Sequence, residues 1–211
     1  MILVFLIPFA FVALFVGSIA LSIAAARRQQ RKTRETMAGV AGRLGLELRR
    51  QPARFGFEAP PTVEGRYRDR QVRFFNFTTG SSKSRTTWSA VSAAIGSATG
   101  FTLELAPENL LSRIGIALGM QDIKVGDPEF DRAFVVRSND AAYAAAALLP
   151  EIRARLLSER KQGARGHLTV KAGEARYAEV GTFADAARAD RLAGILEVLC
   201  DLAEVAEVYK A

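Results

Sequence analysis

The chain has 211 residues, 49% of them hydrophobic, and a formal net charge of +7. Five of the seven excess positive charges lie in residues 27–34, which leaves +2 for residues 35–211. A nucleic-acid binder needs a basic face on its folded part, so this distribution argues against nucleic acid as a partner. The single cysteine, Cys200, rules out an intramolecular disulfide and fits a reducing compartment.

Met1 to Ala26 contains no charged side chain. As a helix it reaches about 39 Å, against a hydrocarbon core of about 30 Å. The expectation is a transmembrane helix over residues 1–26, with the lipid bilayer as its partner. Pro8 sits early, where its missing hydrogen bond is tolerated. A cleaved secretory signal is the rival reading, with Ala24 and Ala26 as small residues at its end. Such signals have a basic start and an apolar run of only about 7–15 residues. Here no Lys or Arg precedes the run, and the run is longer. Arg27, Arg28, Arg31, Lys32 and Arg34 follow it without an acid among them. By the positive-inside rule these flanking bases place residues 27–211 on the cytoplasmic side of the cell (inner) membrane, as a single-pass protein.

Residues 27–61 read as the basic flank, a short amphipathic helix over Thr33 to Leu46 and a linker with Pro52, Pro60 and Pro61. Met37, Val40, Ala41 and Leu44 give the helix a one-sided stripe. Residues 62–211 read as one soluble α+β domain. Alternation predicts strands at 63–68, 72–78, 86–95 and 101–105, with a turn at Asp69–Arg70, a hairpin turn at Gly96–Gly100 and antiparallel meander pairing. A helix is expected over 107–118. Asp127 can cap a turn that Pro128 starts, and Ala133 to Arg137 is a further strand. Helices follow at 141–149 and from Pro150. A hairpin turns at Ala172–Gly173, and Thr182 with Asp185 resembles a capping box. The final helix buries Leu192, Ile195, Leu196, Leu199, Leu202 and Val205. The fold class is thus α+β: a mainly antiparallel sheet of about seven strands closed by a C-terminal helix, an order that also suits a pleckstrin-homology-like barrel.

Leu103-Glu104-Leu105-Ala106-Pro107-Glu108, Gly119-Met120-Gln121-Asp122-Ile123, Asp127-Pro128-Glu129-Phe130-Asp131, Phe134-Val135-Val136 and Asp140 form a series. In spacing and pattern it resembles a group of uncharacterised bacterial single-pass membrane-anchored proteins. The resemblance implies a membrane-tethered bacterial domain; it supplies no activity, cofactor or active site.

The residues themselves offer little chemistry. His167 is the only histidine, and a zinc site of His and Cys needs three or four ligands. His167 is expected to be a solvent-facing loop residue, and Cys200 a small packing residue. Phe74, Phe75 and Phe77 beside Arg73 lack the Gly-rich motif of an RNA-binding sheet and read as core. Asp122, Asp127, Glu129 and Asp131 are the candidate metal or acid–base residues, because clustered carboxylates can bind a divalent cation or move protons. Their spacing does not match an EF-hand loop. The competing reading is structural: Asp127 as an N-cap, Asp131 pairing with Arg132 or Arg137, Glu129 favouring a helix start. Two functions follow. One is a non-catalytic interaction or assembly module with no cofactor. The other is a carboxylate-based or divalent-cation-binding enzyme using residues 122–131.

Overall fold

The computed structural model describes residues 2–50, 59–81, 84–96, 100–107 and 121–209, with side chains from Leu14 onward, Gln121 excepted. The helix expected over 107–118, most of the proline linker and the middle of the Gly96–Gly100 turn lie outside these residues.

The chain begins with one continuous helix, α1 (Ile2–Leu44), where the sequence suggested a span and a separate short helix. Its C-terminal half is amphipathic: Thr33, Met37, Val40 and Ala41 are buried at a spacing that keeps them on one face. That face packs on the sheet and on the last helix. Gly45 ends α1 in the left-handed conformation (φ 65°), and the Leu46 amide donates back to the Ala41 carbonyl at 2.9 Å. At the other end Leu14, Phe15 and Leu21 are 67–73% exposed. Among the described residues no helix is long and apolar enough to cross a membrane. The apolar side chains described, Leu14–Ala26, form a run shorter than the ~20 residues that a span takes. What the structure establishes here is the helix.

Among the described residues nine strands follow: β1 (Glu47–Arg49), β2 (Thr62–Tyr67), β3 (Arg70–Thr79), β4 (Thr86–Ala94), β5 (Leu103–Ala106), β6 (Gln121–Ile123), β7 (Val135–Ser138), β8 (His167–Lys171) and β9 (Glu174–Val180). All pair antiparallel, in the order β1-β2-β3-β4-β9-β8-β5-β7-β6. The sheet is open, with β1 and β6 as its edges, so the barrel analogy fails. The four-strand meander also stops at β4. Its neighbour is β9, and β5 lies two strands further on, so β4 and β5 are not the two arms of the expected hairpin. Burial explains the order. β5 is buried at every position and β4 at six consecutive ones, so both need covered neighbours on each side. The short edge strand β1 is mostly exposed. β1 and β6 are too short for the alternation to register.

The hairpins are tight. The β2–β3 turn falls on Arg68–Asp69, one residue earlier than expected, with both residues at positive φ (49° and 60°). Arg68 accepts this unfavourable conformation while its guanidinium bonds Asp201 at 2.6 Å and Glu204 at 3.0 Å. The β8–β9 turn is Ala172–Gly173, as the sequence indicated.

Among the described residues the remaining helices are α2 (Pro128–Ala133), α3 (Ala141–Ala147), α4 (Pro150–Lys161) and α5 (Ala186–Glu207). The cap of α5 is Asp185, which accepts from the Arg188 amide; Thr182 is not the cap. α5 crosses β4 and β9 and buries Leu192, Ile195, Leu196, Leu199 and Leu202, with Val205 half-buried. Helices therefore cover one face of the sheet. Met37, Phe74, Leu103, Phe130, Leu168 and Leu192 belong to one continuous core.

Phe130 and Phe134 are both buried in that core, their rings 4.9 Å apart. Truncating a buried Phe costs about 3–5 kcal/mol, and losing an Asp cap about 1 kcal/mol. In chemical unfolding of the detergent-solubilised chain, Phe130→Ala is expected to lose several-fold more stability than Asp127→Ala. Equal losses would place Phe130 outside the core.

Candidate functional site

The four acidic candidates do not converge. Asp122, exposed on β6, takes Arg137 at 2.7 Å. Asp127 caps α2, accepting from the Glu129 and Phe130 amides at 3.1 Å, and its second oxygen lies 3.4 Å from Arg153. Glu129 pairs with Lys161 at 2.9 Å. Asp131 accepts from the Val125 amide at 3.0 Å, and Arg132 donates to the Pro128 carbonyl, so neither Arg132 nor Arg137 is its partner. A bound cation needs several oxygens directed at one point. Here each carboxylate meets a local donor. Among the described residues no group of three or more His, Cys, Asp and Glu is placed to hold a metal.

The face of the sheet opposite α5 carries an aromatic cluster. Because side chains alternate, Phe74 enters the core while Phe75 and Phe77 face the other way with Trp88. Phe77 stacks on Trp88 with ring centroids 6.2 Å apart. Arg73 lies over Phe75 at 4.2 Å and Arg176 over Phe77 at 5.6 Å, both cation–π geometries. Cross-strand register runs a polar row through this face: Glu64, Arg73, Ser92, Arg176, Thr169, Glu104, Arg137, Asp122. Opposite charges meet across it, as in Arg137 with Asp122.

His167 belongs to this cluster. It is 9% exposed and meets Trp88 edge-on at 5.5 Å, so it is not the solvent-facing loop residue expected. Burial, with Arg176 and Lys171 nearby, lowers its pKa to about 4. A neutral imidazole of that basicity is a poor proton acceptor near pH 7. The sequence held the signal: with Leu168 and Val170 inward, His167 must face the opposite side of β8. Cys200 is fully buried in α5, as expected, and burial pushes its thiol up to about 11.

The core face holds one ion cluster that sequence reasoning missed. Glu179, 4% exposed, accepts from Arg191 at 2.9 Å and from the Tyr177 hydroxyl at 3.1 Å, with Arg188 at 3.6 Å. Burial, then the Glu179 charge, raises the Tyr177 pKa well above its usual value. These groups tie β9 to α5.

A crevice of about 980 Å³ separates residues 23–34 of α1 from the end of the sheet. Ile23 and Ala26 line one end; Arg27, Arg31 and Arg34 follow, with Asn76 and Thr182 opposite. Gln29 spans the gap, donating to the Thr182 hydroxyl at 2.9 Å. Arg28, Lys32 and Glu35 line a second groove on the helix, together with Arg27 and Arg31.

Comparison with protein-family models and with curated proteins finds no match. Among solved structures the chain is similar to the mycobacterial trehalose monomycolate transport factor A, TtfA, with a TM-score of 0.55 and 12% identity. The likeness covers 87% of this chain and 97% of that one, and at this identity it is a likeness of fold.

The buried His167 makes stability depend on pH. The unfolded chain takes up a proton near pH 6.5, the folded one only near 4. The unfolded state therefore binds more protons between these values, and stability falls as pH drops through them. Glu207, held at about 2 by hydrogen bonds from Arg70 and the Gly96 amide, loses its contribution lower, between about 4.5 and 2. Denaturant unfolding across pH is expected to show the first loss in the wild type and a flatter profile above pH 4.5 in His167→Gln. An unchanged profile would mean that His167 titrates normally.

Proposed function

We propose that the protein is a non-catalytic, membrane-tethered interaction or assembly module, anchored by residues 1–26 with its α+β domain on the cytoplasmic side. The observation that carries this reading is the continuity of α1. One helix runs from an uncharged segment, whose Leu14, Phe15 and Leu21 have no protein to cover them, into a stripe fully buried in the domain core. Exposed apolar surface of that kind seeks another apolar phase, and the five bases after it set the orientation. A helix without a break makes the tether part of the fold, so the domain stands at a fixed height above the bilayer. The local pairing of Asp122, Asp127, Glu129 and Asp131 favours this reading over a carboxylate enzyme.

The chain is expected to stay in the membrane pellet through carbonate and high-salt washing. A C-terminal alkaline phosphatase fusion should be inactive and a C-terminal fluorescent protein fusion bright. Release by carbonate would remove the tether, and the opposite fusion pair would reverse the topology. Millimolar Ca²⁺ or Mg²⁺ should leave the melting temperature unchanged. A rise that disappears in Asp127→Ala would favour the cation-binding alternative.

A further inference from the structure

We infer that the crevice between α1 and the sheet is a seat for the headgroup of an anionic phospholipid, whose upper acyl chain lies against Ile23 and Ala26. This rests on the tether reading above, which puts residues 23–34 at the level where hydrocarbon gives way to headgroups. The helix rises about 1.5 Å per residue, so the distance from Ile23 to Arg34 is roughly 16 Å, the scale of a headgroup, its glycerol and the first methylenes.

The polarity of the crevice changes in the direction that such a molecule would need. Its membrane-side end is apolar, Ile23 and Ala26, and three guanidinium groups follow on the same wall. Guanidinium is the side chain best matched to a phosphate, since its fork donates two parallel hydrogen bonds. The opposite wall offers an amide and hydroxyls, Asn76 and Thr182 among them, which suit the hydroxyls of a glycerol-type headgroup. No carboxylate lines the crevice among the described residues. The nearest acid on the helix, Glu35, pairs with Arg31 at 2.9 Å, but both side chains are more than half exposed. Such pairs are weak, and a phosphate can displace this one. A volume of about 980 Å³ lies within the usual range for small-ligand sites. The walls are also fixed before any ligand arrives. Thr33 is buried, and Gln29 is hydrogen-bonded to Thr182 across the gap. A second groove shares Arg27 and Arg31 with the crevice but is lined by α1 alone and contains Glu35, so Arg28 and Lys32, which do not line the crevice, provide an internal control for charge without enclosure.

The test uses the full chain purified in a neutral detergent, with bound lipid counted by native mass spectrometry during titration with phosphatidylglycerol or phosphatidylcholine. Phosphatidylglycerol should be retained at least about tenfold better than phosphatidylcholine. The pair Arg31→Gln and Arg34→Gln should lower that retention by at least about tenfold. The control pair Arg28→Gln and Lys32→Gln should change it less than threefold. Thr182→Phe, which fills the crevice and keeps every charge, should also abolish retention. Each variant is accepted once its melting temperature matches the parent's, and the Arg pair, being on the helix surface, keeps the test decisive if Thr182→Phe does not fold. Equal losses from the two basic pairs would reduce the effect to diffuse attraction and overturn the seat. Full competition by millimolar glycerol 3-phosphate would make it a soluble-phosphate site and overturn the lipid assignment. Unchanged retention in the crevice variants of a carbonate-resistant protein would overturn this inference and leave the tether standing. Release of the wild-type chain by carbonate would overturn both.

Discussion

The architecture depends on α1 meeting two demands at once. Its first half is uncharged and exposes large apolar side chains, while its second half buries Met37, Val40 and Ala41 as part of the domain core. Apolar area removed from water contributes roughly 25 cal/mol per Å², so the second half is held to the sheet by its own stripe. Arg43, bonded to Asp190 at 2.6 Å, adds a tie to α5. With no break between the halves, any force or orientation imposed on the first is transmitted to the core. The protein is therefore poorly described as a domain on a linker.

The sheet supports this by having two unlike faces. One is hydrophobic and covered by helices. The other carries Phe75, Phe77, Trp88 and His167 among cross-strand charges. Arg73 and Arg176 lie over aromatic rings, so their stems and planes cover apolar surface while the charge stays near water. Between sheet and helices, polar groups are buried with partners. Glu179 is shared by Arg188, Arg191 and Tyr177, and breaking such a cluster leaves an uncompensated charge. At the far end Arg70 holds Glu207, fixing the last turn of α5 against the β2–β3 hairpin. These ionic ties lie where α5 meets the sheet, and they set its register along β4 and β9.

In the reading proposed here, function lies at the junction of α1 and the domain. The acids that looked like chemistry in the sequence are spent on caps and surface pairs, and the one histidine is enclosed by Trp88 and cations. The crevice beside Arg27, Arg31 and Arg34 has what those sites lack: volume, an apolar end and, among the described residues that line it, only basic charges. None of the three residues is chemically unusual. The role proposed for them depends on the second wall that folding brings to them, from parts of the chain up to about 150 residues away, such as Thr182.

The sequence by itself determined the parts that depend on local periodicity and on nearest neighbours. The uncharged run and its basic flank, the Asp127 cap, the Ala172–Gly173 hairpin and the apolar stripe of α5 all act within a few residues, where 3.6- and two-residue repeats can be read. Tertiary structure decided what depends on which faces are covered twice. The strand pattern of β4 and β5 suggested neighbours in a meander, yet both are buried on each side, so β9 and β8 stand between them. The same reason moved His167 from a loop to a buried face and kept the sheet open. It also gave Asp122 to Arg137 and Asp131 to a backbone amide. A carboxylate's partner is set by which donor folding brings within 3 Å, and nothing in the spacing of the acids along the chain encodes that distance.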